Sequence, residues 1–178
     1  MRQRPTIFAT TALLSIAILL MPAPAPAQDV TGPSLKAAFI YNMMKFIEWP
    51  VGPSDSKSFV ICVLGDAAVH QALEQESKGR LLSGNSITVV RVNSPGLPPA
   101  CRLIYASGIP RNQVVQFLAA LRGAPVLTIS DLDGFTDIGG MVQFIFAQGQ
   151  LRFSIGLEAA QMAQLKISAK LLTLAIRK

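Results

Sequence analysis

The sequence predicts an α/β fold: a mixed, mostly parallel sheet with flanking helices and a C-terminal β-hairpin plus helices. Three observations carry this. Phe59-Val60-Ile61-Cys62-Val63-Leu64 is a continuous apolar run closed by Gly65-Asp66, the pattern of a strand buried on both faces that enters a βα turn. Segments of helical length separate it from later runs of the same kind. Near the end, two stretches of large apolar residues flank Gln148-Gly149, which reads as a hairpin.

Taken in order, residues 1–27 have the organisation of a secretory signal peptide. Arg2 and Arg4 form a basic start, Ala12 to Met21 an apolar core, and Ala25-Pro26-Ala27 a small-residue cleavage site. A membrane anchor is the competing reading, but the apolar run is shorter than the roughly 20 residues a span requires. Pro22, Pro24 and Pro26 also end it. Cleavage is expected after Ala27, leaving residues 28–178 as a single α/β domain.

Removing Arg2 and Arg4 from the 16 basic residues leaves 14 against 10 acidic ones, a net of +4. These charges are scattered and have no interleaved aromatic residues, so the basic balance is weak evidence for nucleic acid, and export removes that partner. Cys62 and Cys101 are the two cysteines. In an exported chain an even count reads as a disulfide, with two buried free thiols as the alternative. On the chain-entropy account, closing a loop of about 40 residues stabilises by about 4 kcal/mol. His70 is the single histidine, and no histidine or cysteine lies at metal-ligand spacing.

Ser34 is placed to cap a helix running from Leu35 to Pro50, with Leu35, Phe39, Met43 and Phe46 on its packed face and Ala38 and Tyr41 at the borders. Tyr41, Met44 and Trp49 point to other sides, and exposed Tyr, Met and Trp form a candidate partner surface. Alternatively, Trp49 folds back over the edge of the core.

After the strand that carries Cys62, Asp66 is expected to cap a helix over residues 67–76. The Gly65-Asp66 turn lies where α/β sheets bind ligands. Neither a G-x-G-x-x-G nor a P-loop follows, which argues against a nucleotide site. Further strands are read at residues 87–92, 101–106 and 126–130. A helix over residues 111–121 turns Val114, Phe117, Leu118 and Leu121 inward. A Cys62–Cys101 bond would require Cα atoms within about 7 Å, placing the first strand beside the start of the third. Asp131, Asp133 and Asp137 gather around Gly134, but their spacing misses the calcium-loop pattern and reads as an Asp-capped turn.

Gly139-Gly140 opens the hairpin and marks positive φ or close backbone approach. The first hairpin strand is apolar on both sides. The second is expected to turn Gln150, Arg152 and Ser154 outward near a sheet edge. One helix is read over residues 157–163 and a second over 165–176, with Leu165, Ala169, Leu172 and Ile176 toward the sheet. Lys166 and Lys170 form an exposed like-charge pair.

Read together, Lys36-Ala37-Ala38-Phe39-Ile40-Tyr41-Asn42, Lys45-Phe46-Ile47-Glu48-Trp49-Pro50 and Ile61-Cys62-Val63-Leu64-Gly65 resemble the YfiR family of exported bacterial proteins. Later segments follow the same order: Gly79-Arg80, Cys101, Leu127-Thr128-Ile129-Ser130-Asp131, Gly134-Phe135, Gly139-Gly140-Met141, Arg152-Phe153-Ser154-Ile155 and the stretch from Leu165 to Leu172. The resemblance covers about residues 35–176. It implies a periplasmic repressor that binds the periplasmic sensor domain of an inner-membrane diguanylate cyclase, lowering cyclic-di-GMP and biofilm formation. It also implies an outer-membrane OmpA-like lipoprotein that sequesters the repressor, and a homodimer. Some members carry a second cysteine pair that is missing here; Cys62 and Cys101 match the other pair.

The residue chemistry points the same way, toward a protein that is not an enzyme and uses no cofactor. One histidine and no Ser/His/Asp or Cys/His set leave little for acid-base or nucleophilic catalysis, which weighs against a hydrolase. A periplasmic small-ligand sensor working with a membrane histidine kinase or other receptor is the alternative.

Overall fold

The structure, a computed structural model, describes residues 32–50, 58–93 and 101–176. Residues 1–27, read as the signal peptide, lie outside them. Helix α1 (Gly32–Met44) leads to a two-residue strand β1 (Ile47–Glu48), then β2 (Ser58–Leu64), α2 (Ala67–Ser77), β3 (Leu81–Leu82) and β4 (Asn85–Val92). There follow β5 (Cys101–Ala106), α3 (Arg111–Ala120), β6 (Leu127–Ser130) and a 3-10 turn over Thr136–Ile138. The hairpin β7 (Val142–Ala147) and β8 (Gln150–Ile155), then α4 (Leu157–Met162), β9 (Lys166–Ile167) and α5 (Ala169–Leu174), complete the chain.

The main sheet has the order β3-β4-β2-β5-β6-β7-β8. Its five central strands are parallel, while β3 and β8 run antiparallel at the two edges. This is the mixed, mostly parallel sheet expected. Chain order reverses between β2 and β5, the switch point at which a doubly wound sheet opens a crevice at its carboxyl edge. Helices α1 and α2 cover one face with Ile40, Met44, Val69 and Leu73 against Ile61, Val63, Leu103 and Tyr105. Helix α3 covers the other with Val114, Phe117 and Leu118 against Cys62, Leu64 and Ile104. At the switch point the turns after β2 and β5 touch: Ser107 donates its amide to Leu64, and Gly65, at φ +92°, leaves no room for a Cβ against the Ser107 carbonyl.

The two glycines before β7 each meet one of the expected demands. Gly139 sits at φ +96°, and Gly140 lies so close to the buried Phe135 ring that a Cβ would overlap it. In the hairpin, Gln148 and Gly149 both have positive φ, the conformation that lets a two-residue loop match strand twist.

Several expectations are corrected. Helix α1 begins at Gly32, with Ser34 inside its first turn, and ends at Met44 rather than running to Pro50. Its buried residues are Ala37, Ile40, Tyr41, Met43 and Met44, whereas Leu35, Phe39 and Phe46 are half-buried. The helix is apolar on nearly every side, so periodicity does not single out one face. The last helix divides: Lys166–Ile167 pair antiparallel with Ile47–Glu48, and Ser168 caps a shorter α5 by accepting from the Leu171 amide. Within it Leu171 is buried while Ala169 is exposed. Ser154 is buried rather than outward, and the end of β7 is exposed at Phe146 and Ala147. The hairpin runs past the carboxyl end of β6, its parallel neighbour, which pairs with β7 only at Val142 and Gln143.

Candidate functional site

The disulfide joins two elements of the sheet itself. Cys62 lies within β2 and Cys101 opens β5, with Cα atoms 5.8 Å apart. The strands are neighbours, as the pairing requires, and their register shifts between Val60 and Ile61 beside Cys101. The bond lies in the α3-side core and binds the two strands that flank the switch point.

The aromatic candidates are placed differently from the expectation of exposure. Met44 is 1% exposed and Tyr41 is buried, because both belong to the core cluster that α1 shares with Val69 and Leu73 of α2 and with Ile47 and Leu165. Trp49 is half-buried and takes the folded-back arrangement. Its indole N–H donates to the Arg102 carbonyl at 3.1 Å, and its ring meets Phe59 edge-on at 4.8 Å. Tyr41 is nonetheless near the surface chemistry, with cations of Lys45 and Arg80 against its ring.

The structure brings together a polar cluster at the carboxyl edge that no single sequence motif displays. Lys36, in the first half of α1, reaches Asp131 just after β6, Nζ to Oδ2 being 2.6 Å. The same ammonium lies 3.9 Å from Asp66 Oδ2 after β2. Tyr105, in β5, donates its hydroxyl to Asp131 at 3.2 Å. The Lys36 ammonium stands 5.8 Å from the Tyr105 ring centroid and 5.7 Å from that of Phe146, so an otherwise exposed aromatic roofs the ion pair.

Each charge here is set by a contest between burial and partners. Burial alone would push the Asp131 carboxyl up, but hydrogen bonds from Lys36 and Ser107 outweigh it and hold the group below its usual range. Burial likewise works against the Lys36 ammonium, and the bonds to Asp131 and Tyr105 outweigh it, so its pKa is raised. Tyr105, whose largest influence is burial, is pushed up to about 12. At neutral pH the Lys36, Asp131 and Tyr105 groups are therefore an ammonium, a carboxylate and a neutral phenol. Asp66 Oδ1 is engaged as the α2 cap, accepting from the Ala68 and Val69 amides. Every group is engaged, and the arrangement serves as a clasp between α1 and the loops of the switch point.

The aspartate loop is likewise committed. Asp131 belongs to the clasp, Arg111 donates to the Asp133 carbonyl at 2.8 Å, and Gly134 takes φ +70°. Among the described residues no group of three or more His, Cys, Asp or Glu side chains is placed to hold a metal ion. Nor is any described helix long and apolar enough to cross a membrane. Sequence reasoning missed Lys36, Tyr105 and Asp131 as a unit. The available signal was a lone lysine in an apolar helix and an aspartate immediately after a strand.

A family described as YfiR/HmsC-like matches residues 33–176, the span from the start of α1 to the end of the last described segment. No curated protein matches the chain.

Proposed function

The chain belongs to the YfiR/HmsC-like family, and from that membership we propose that it is a periplasmic regulator of an inner-membrane diguanylate cyclase. In this reading the chain is exported, cleaved near Ala27, and acts by binding the cyclase's periplasmic sensor domain. Binding represses the enzyme and lowers cyclic-di-GMP and biofilm formation. An outer-membrane OmpA-like lipoprotein would sequester the regulator, which itself acts as a homodimer and performs no catalysis. The observation that carries the reading is the family match over the whole described α/β unit. The Cys62–Cys101 bond supports it, since disulfides persist in oxidising compartments such as the periplasm.

Deletion of the gene tests it, with cellular cyclic-di-GMP measured before and after. A rise is expected, reversed by the gene supplied in trans. No change, or a fall, would overturn repression.

A further inference from the structure

At the end of the sheet opposite the clasp, cations gather on two aromatic rings. The Lys45 ammonium stands 4.2 Å and the Arg80 guanidinium 4.7 Å from the Tyr41 ring centroid, while the Lys170 ammonium stands 5.5 Å from that of Phe46. Lys166 lies opposite Glu48 in the β1–β9 pair, and Lys78 ends α2 two residues before Arg80. Five cations thus face three carboxylates here: Glu48, the Glu76 that pairs with Arg80, and Glu74, which lines one groove with Lys78 and Arg80. The carboxyl edge has the opposite balance, Asp66, Asp131, Asp133 and Asp137 against Lys36 and Arg111. Beside Arg80, Leu81 is 61% exposed.

We propose that this basic face binds an anionic phospholipid surface. Four of its five cations are lysines, compact charges on flexible stems that suit a diffuse negative plane. A discrete acidic segment is better matched by the planar fork of arginine, and Arg80 is already paired with Glu76. The Lys45 and Lys170 ammonium groups lie over the Tyr41 and Phe46 rings at exposed positions, where the rings hold them as cation–π partners at the surface. Leu81 supplies a protruding apolar contact for the headgroup boundary. Bound this way, the protein holds its acidic edge away from the bilayer. The inference rests on charge placement and is independent of the regulatory reading.

Flotation of the purified protein with phosphatidylcholine vesicles, with and without phosphatidylglycerol, tests it. Binding is expected only to the anionic vesicles, and added salt should release it. One basic side chain near such a surface is worth about fivefold in binding, so a Lys45→Gln/Lys170→Gln double variant should bind about 25-fold more weakly. Leu81→Ser should weaken binding without changing its salt dependence. Arg122→Gln, an exposed charge beyond α3, serves as the matched control and should bind as the parent does. Equal binding to neutral vesicles, no binding at all, or a double variant no weaker than the control would overturn the proposal. So would capture by acidic protein surfaces with none by vesicles.

Discussion

Lys36 and Asp131 are 95 residues apart in the chain and 2.6 Å apart in the fold. Their contact ties the first helix to the end of the fourth parallel strand, and Tyr105 joins it from the strand between. The pair is shielded from water by the Tyr105 and Phe146 rings, so removing one partner strands the other in a poorly solvated place.

Asp131→Asn should therefore cost about 1–3 kcal/mol in a denaturant titration at neutral pH. The Asp131 carboxyl is held below its usual 3.8, so its contribution is complete above that value and is lost as pH falls through the lower folded one. The Lys36 pKa is raised from 10.5, so its contribution is complete below that value and is lost as pH rises through the higher folded one. Stability of the Asp131→Asn variant should fall less steeply than that of the parent below pH 4. Parallel acid limbs would argue that the clasp contributes nothing. In an ultraviolet titration one of the two tyrosines should resist ionisation until about pH 12, and Tyr105→Phe should abolish that phase.

The disulfide leads to a second expectation. Cys62→Ser should lower Tm by roughly 10 °C, from about 4 kcal/mol of lost loop constraint in a domain of this size. Alkylation with and without reductant should separate the parent forms in mass; identical masses would mean that no bond forms. Trp49 offers an internal report, because its indole bonds to the residue next to Cys101 and it is the single tryptophan. Reduction should shift its emission to longer wavelength. Trp49→Ala should cost about 2 kcal/mol, the sum expected for one hydrogen bond and one edge-on ring pair.

Gly139 and Gly140 should separate in mutagenesis although they are adjacent. At Gly139 a Cβ meets open space, and alanine bears only the strain of positive φ, about 1 kcal/mol. At Gly140 a Cβ would overlap the Phe135 ring, which is fully buried in the core cluster with Val114, Phe117 and Leu118 of α3. Gly140→Ala should cost more than Gly139→Ala by about 1–3 kcal/mol, as overpacked cores do. Equal losses would show that Phe135 moves freely.

Local patterning made much of this legible. A continuous apolar run before Gly65-Asp66 reads as a doubly covered strand, and it is β2. Gln148-Gly149 between two apolar runs is the turn of the hairpin. The spacing of Val114, Phe117 and Leu118 matches the buried side of α3. Cys62 and Cys101 lie on adjacent strands, as their pairing demanded.

Where several layers meet, patterning failed for a physical reason. A helix as apolar as α1 carries no periodic signal of which side is covered, so Tyr41 and Met44 read as exposed although both lie in the core cluster with Val69, Leu73, Ile47 and Leu165. Lys166–Ile167 continue a helical stripe by spacing, yet a partner strand at Ile47–Glu48 and the Ser168 cap offered the backbone better hydrogen bonds. The amino-acid order by itself determined the long strands of the main sheet, the hairpin, the cysteine pair and the family, because each is a matter of neighbours a few residues apart or of chain-wide composition. Tertiary packing decided the Lys36, Asp66, Tyr105 and Asp131 clasp and the meeting of Arg80 with Tyr41 and of Lys170 with Phe46. Their members come from separate elements, and only the packing of the sheet and its helices brings those charges within Coulomb range.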